Sequence, residues 1–161
     1  MATRYGRDMR RLPIILLTII SLGMTFAARA AESRIIKVLP HYLDLKGRAS
    51  LLPGLYDRDA YQAQLRQHPE QRSALRFDVL WRGKSDTGAT LKLRIELRGS
   101  VKGELPGQKV LETEVKPVAS NHWTALTLGG EDYKKFGEVS AWRATLWDGE
   151  RQIGEQKSFL W

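Results

Sequence analysis

The sequence predicts an all-β fold, a single β-sandwich of about seven strands. Three observations carry that expectation. Leu75, Phe77, Val79 and Trp81 alternate with Arg76, Asp78, Leu80 and Arg82, and Leu91, Leu93, Ile95 and Leu97 alternate with Lys92, Arg94, Glu96 and Arg98. A period of two gives each of these strands one buried and one wet face. Turn-forming residues punctuate the rest of the chain, and Asp148-Gly149 is its strongest hairpin signal. Helical spacing is confined to a short insertion between the first and second strands.

The first thirty residues stand apart from this pattern. Arg4, Arg7, Arg10 and Arg11 make a basic n-region, Leu12 to Phe26 an apolar h-region, and Ala28-Arg29-Ala30 supplies small residues at the −3 and −1 positions of a cleavage site. This is the signature of a cleavable secretory signal peptide over 1–30, leaving a mature chain that starts at Ala31 and a single domain over 31–161. The apolar stretch is broken by Pro13, Ser21 and Gly23 and is shorter than the roughly 20 residues that span a bilayer, so no stable membrane span is expected after cleavage. Leu12-Pro13-Ile14 does not complete a twin-arginine pattern after Arg10-Arg11, which favours general secretion.

The leader carries Arg4, Arg7, Arg10, Arg11 and Arg29 against Asp8, so its removal takes the formal charge from +8 to +4. A surface that mildly basic serves solubility and excludes little. The chain contains no cysteine, so an exported domain has to be held by packing and hydrogen bonds without disulfides, and no lipid-bearing cysteine is possible.

After the leader, Arg34 to Leu39 reads as a β-branched first strand ended by Pro40. Within the long stretch from His41 to Pro69, a helix is expected from Asp57 to Gln67, with Asp57 as N-cap, Tyr61 and Leu65 four residues apart, and Pro69 past its end. The two alternating runs follow, and the polar segment Lys84 to Gly88 suggests that they form a hairpin. Weaker strands are expected at Lys109 to Val115 and His122 to Leu128, with Pro117, Ser120 and Asn121 between them. Gly129-Gly130 and Glu131 to Phe136 read as a loop with one helical turn. Val139 to Trp147 and Gln152 to Leu160 flank Asp148-Gly149 as a hairpin with a type I′ turn. This order of elements suits an immunoglobulin-like or fibronectin-like sandwich, although no Cys…Trp…Cys pattern accompanies it.

Site chemistry is sparse. His41, His68 and His122 lie in three separate segments without zinc-motif spacing, and Asp57, Asp59, Glu131 and Asp132 lack the pattern of a calcium loop, so no metal or cofactor is expected. Ser73, Ser120 and Ser158 sit in no nucleophile signature, and no constraint pairs two carboxylates for glycoside hydrolysis, so the chain is expected not to be an enzyme. Five tryptophans remain. Trp81 and Trp142 share alternation with apolar neighbours and belong to the core, which leaves Trp147 and Trp161 as the exposed pair able to touch a ligand. Lys92, Arg94 and Arg98 line one wet strand face interrupted by Glu96, with Arg76 and Arg82 expected on the neighbouring strand's wet face. They complete the candidate contact set.

The functional expectation is an exported, non-catalytic interaction or accessory module of the cell envelope, periplasmic or secreted. Its partner would be an envelope protein or a glycan and not nucleic acid, and nothing in the sequence fixes its oligomeric state. Carbohydrate or anionic glycan binding through the tryptophans and the basic row is the alternative. A small outer-membrane β-barrel ending in Phe159 and Trp161 is a further one, set back by short strands and by the stretch from Pro40 to Ser73. If the leader is cleaved as read, the intact mass of the exported protein will correspond to residues 31–161, whereas recovery of the full-length chain in the membrane fraction would contradict it.

Overall fold

Strand β1 (Arg34–Asp44) opens a computed structural model that describes residues 33–100 and 107–161. The expected leader at 1–30 lies outside the described residues. Helix α1 (Leu55–Gln67), a 3-10 turn at Pro69–Gln71 and β2 (Arg72–Gly83) follow, then β3 (Leu91–Ser100), β4 (Gly107–Val115), β5 (Val118–Gly129), α2 (Gly130–Phe136), β6 (Glu138–Asp148) and β7 (Arg151–Lys157).

These strands make two antiparallel sheets, β1-β2-β5 and β4-β3-β6-β7, packed as the expected β-sandwich. The order is that of an immunoglobulin-type sandwich in which the fourth strand pairs with the third. Two open sheets are not a closed barrel, so the barrel expectation is corrected.

The alternation explains the core. Phe77, Val79 and Trp81 of β2 and Leu91, Leu93 and Ile95 of β3 are all 0% exposed, and Leu126, Leu128, Ala144 and Leu146 join them between the sheets. The Trp81 indole N–H donates to Thr124 Oγ1 at 2.9 Å, so the largest buried ring is satisfied as well as packed.

Several sequence expectations are corrected here. The β2 and β3 runs do not form a hairpin, because β2 pairs with β1 and β5 while β3 pairs with β4 and β6. Their connection crosses between the sheets, and β6 ties it down: Asp148 accepts from Ser85 Oγ at 2.8 Å and from the Asp86 N–H at 3.1 Å. Those bonds hold the Asp148 carboxyl below its usual range, the Ser85 hydroxyl contributing most. Arg76 and Arg82 therefore belong to the opposite sheet from Lys92, Arg94 and Arg98.

Strand β1 continues through Pro40 to Asp44 instead of stopping at Leu39. It is an edge strand, the position in a sheet where proline is tolerated. Helix α1 starts at Leu55 with Gly54 as N-cap and no side-chain cap, and Asp57 sits inside its first turn, where its charge complements the helix dipole. Strand β5 begins at Val118 and takes in Ser120 and Asn121, so the break after β4 is only Lys116-Pro117.

The β6–β7 hairpin is present, with Asp148 opposite Arg151. Only Gly149, at φ 58°, has positive φ there, which is the type II′ arrangement and not type I′. Strand β7 stops at Lys157 and the chain turns, the Trp161 N–H donating to the Ser158 carbonyl.

The sheets meet most closely at one edge. A Cβ on Gly154 of β7 would lie 3.0 Å from the Ile35 nitrogen and 3.2 Å from the Arg34 Cα, both backbone atoms of β1. Gly154→Val is expected to push the two edges apart and lower stability by about 1–3 kcal/mol, measured by urea unfolding; a change within error would show that the edge yields freely.

Candidate interaction surfaces

The antiparallel register places Lys92 opposite Trp147, Arg94 opposite Thr145, Glu96 opposite Arg143 and Arg98 opposite Ala141, so all share the outer face of the four-stranded sheet. The sequence-derived contact set is thereby brought to one side of the molecule. It forms no open cationic stripe. Arg94 is bonded to Glu112, and Arg143 lies 3.5 Å from Glu96 and 3.3 Å from Glu155. Such exposed pairs contribute about 0–1 kcal/mol each and mainly compensate one another's charge.

Tryptophan marks each end of this row. At one end Trp147, its indole N–H donating to Thr145 Oγ1 at 2.8 Å, borders a shallow groove of about 170 Å³ with Lys92, Arg94 and Glu150. At the other, the Arg98 guanidinium stacks 4.1 Å from the centre of the Trp161 ring, beside a groove of about 230 Å³. Lys92 and Arg98 are six positions apart on β3, a span of about 20 Å at the strand rise.

Neither Trp147 nor Trp161 is the most exposed indole. Trp123 holds that place, 48% exposed on the outer face of the three-stranded sheet opposite Leu80. Its alternation with the inward Leu126 and Leu128 was the available signal. Trp142 is part-buried, packed on the core with its ring edge-on to Phe77 at 6.3 Å. Among the described residues no three histidine or acidic side chains converge as metal ligands.

A second surface has no counterpart in the sequence expectations. Leu45, Leu51, Leu52, Leu55 and Tyr56, in the segment joining β1 to α1 and the first turn of α1, are 55–85% exposed. Buried hydrogen bonds anchor the start of this segment and the helix that follows it. The buried Asp44 carboxylate accepts from the Lys46 and Arg48 N–H groups, the Arg48 guanidinium and the Tyr61 hydroxyl, all at 2.8 Å. Buried Gln62 accepts from the Tyr42 N–H and donates to the Tyr42 and Ala49 carbonyls. The sequence signal was a leucine-rich stretch, Leu45 to Leu55, with neither strand nor helix periodicity.

Where α1 ends, Arg72 of β2 closes the insertion. Its guanidinium, only 4% exposed, donates to the Leu65 and Arg66 carbonyls and to Glu138, and lies 4.0 Å over the Tyr42 ring. The carbonyls left over at a helix C-terminus thus meet a fixed cation.

The chain matches no protein-family model, no curated protein and no solved structure, so no relative assigns roles to its residues.

Burial opposes the charge on Asp44, but the bonds from Arg48, Tyr61 and Lys46 outweigh it and hold the carboxyl well below the usual carboxylate range. A depressed folded-state value means that the contribution of Asp44 is complete above about pH 4 and is lost as pH falls through that lower value. Asp44→Asn replaces an acceptor with a donor facing Arg48, and is expected to cost about 2 kcal/mol at pH 7. In urea titrations the gap between variant and wild type should narrow steadily below pH 4; a gap that stays constant into acid would remove the charge from the account.

Proposed function

We propose that this chain is an exported, non-catalytic β-sandwich that acts as an interaction module of the cell envelope, in the periplasm or secreted. The observation that carries the reading is the exposure of five large apolar side chains, Leu45, Leu51, Leu52, Leu55 and Tyr56, in one short segment. Large exposed apolar side chains grouped in one segment mark a contact site, and here buried hydrogen bonds anchor the chain at Arg48 and Ala49, just before Leu51 and Leu52. The basic n-region, apolar h-region and Ala28-Arg29-Ala30 support export. The partner is an envelope protein with a complementary apolar surface.

A second reading, glycan recognition, is favoured by one specific feature. Trp147 and Trp161 border two grooves on the same outer face, each beside a cation, and aromatic faces stack on sugar rings.

The two readings separate in one experiment. Leu51→Ser with Leu52→Ser should abolish capture of a specific envelope protein, weakening it at least tenfold, while leaving the melting temperature unchanged. Trp147→Ala with Trp161→Ala should leave that capture intact. Retention of the partner by the leucine variant, together with binding on a glycan array that the tryptophan variant loses, would overturn the first reading in favour of the second.

A further inference from the structure

The edge between the sheets is closed at one end and open at the other. Near Gly154, β7 lies against the start of β1, but β7 ends at Lys157 opposite Arg143. Past that point β1 continues from Pro40 to Asp44 and β6 reaches back to Glu138, with no strand among the described residues to join them. A cavity of about 220 Å³ fills the gap. Its apolar lining includes Leu75, Phe77, Val139 and Trp142.

The polar groups at the cavity are mostly committed. The Tyr42 hydroxyl is bonded to Glu138, whose carboxylate is also taken by Arg72, and the Ser140 hydroxyl donates to the Arg98 carbonyl. Two remain. Ser158 Oγ accepts from the Trp142 N–H at 3.0 Å and has its own hydrogen left to donate. Arg66, in the last turn of α1, borders the cavity and has no carboxylate within 4.0 Å among the described residues. Both uncommitted groups are donors, so the polar end of a matching ligand is an acceptor, and a negative one suits the guanidinium.

We propose that this cavity is a binding site for a small amphipathic carboxylate. Its aromatic or branched aliphatic body lies against Leu75, Val139 and Trp142, and its carboxylate meets Arg66 and the Ser158 hydroxyl. An apolar cavity of about 150 Å³ holds a benzene ring, so this one has room for a ring and a short side arm. The site lies between the sheets, apart from the leucine segment and the tryptophan grooves, and does not depend on what either surface binds. The acceptor is a carboxylate on an apolar group, borne by a free small acid or by the last residue of a polypeptide.

The test uses 3-phenylpropionate, its amide, and a short peptide ending in phenylalanine with a free carboxylate, each titrated into the isolated protein while the indole N–H resonance of Trp142 is followed by NMR. Saturable shifts with Kd of about 1 mM or tighter are expected for at least one acid, with the amide at least fivefold weaker. The stronger of the two acids identifies the source. Arg66→Gln should bring acid and amide to equal affinity, and Leu75→Trp should abolish binding by filling the cavity. If Leu75→Trp fails to fold, Val139→Phe serves the same purpose on the part-buried wall. An unmoved Trp142 resonance at 10 mM of both acids, equal binding of acid and amide, or undiminished preference in Arg66→Gln would each overturn the proposal.

Discussion

One apolar layer between two central strands organises this molecule. β2 lies in the middle of its sheet and β3 is flanked on both sides in the other, and the inward residues of both strands meet with no solvent access. Strand side chains repeat every two residues, so burying Phe77, Val79 and Trp81 against Leu91, Leu93 and Ile95 leaves no freedom for the residues between them. Arg76 and Asp78 must face outward on one side of the sandwich, and Lys92, Arg94, Glu96 and Arg98 on the other. Each outer face then balances its own charge. Asp78 takes Arg76 and His41 at 3.0 and 2.8 Å, while Glu96, Glu112 and Glu155 answer Arg94 and Arg143.

The same layer leaves edges to be managed. An open sandwich exposes strand edges that can recruit other chains, and Pro40 on β1 removes one N–H from such an edge. Gly154 lets β7 approach the β1 backbone so closely that a side chain there would need the edge to give by a few tenths of an ångström. Because β7 is the shortest strand, that closure runs out before β1 and β6 do. The cavity bordered by Trp142 and Arg66 follows directly from this mismatch in strand length.

The sequence was most legible where one rule acted alone. Strict alternation in Leu75–Trp81 and Leu91–Leu97 identified both central strands and their buried faces. Asp148-Gly149 located the last hairpin. Pairing was not legible, because a polar turn such as Lys84–Gly88 looks the same whether it joins neighbours in one sheet or crosses to another, and the difference lies in Asp148, sixty residues away. The start of α1 was misplaced because Asp57 has the chemistry of a cap, whereas Gly54 precedes the first helical residue. Of the contact set, the register shows Lys92, Arg94, Arg98 and Trp147 on one face, but Glu112, the carboxylate nearest Arg94, comes from another strand and could not be read from β3. The leucine segment escaped notice because surface exposure without periodicity leaves no pattern.

That segment also poses the sharpest energetic question, since its exposed leucines gain nothing from the hydrophobic effect and something else must hold the chain beside them. The answer lies in buried polar groups. Asp44, Gln62 and Arg72 are buried, and each is saturated by backbone or charged partners from the insertion and the strands beside it. Removing any one partner would strand a polar group away from water, so the arrangement is held from within without packing the leucines inward. In the proposed role as a contact surface, a segment anchored in this way loses less conformational entropy when it is covered than an unanchored one. The insertion between β1 and β2 is thus anchored by saturated buried polar groups, as the sandwich is by its apolar layer.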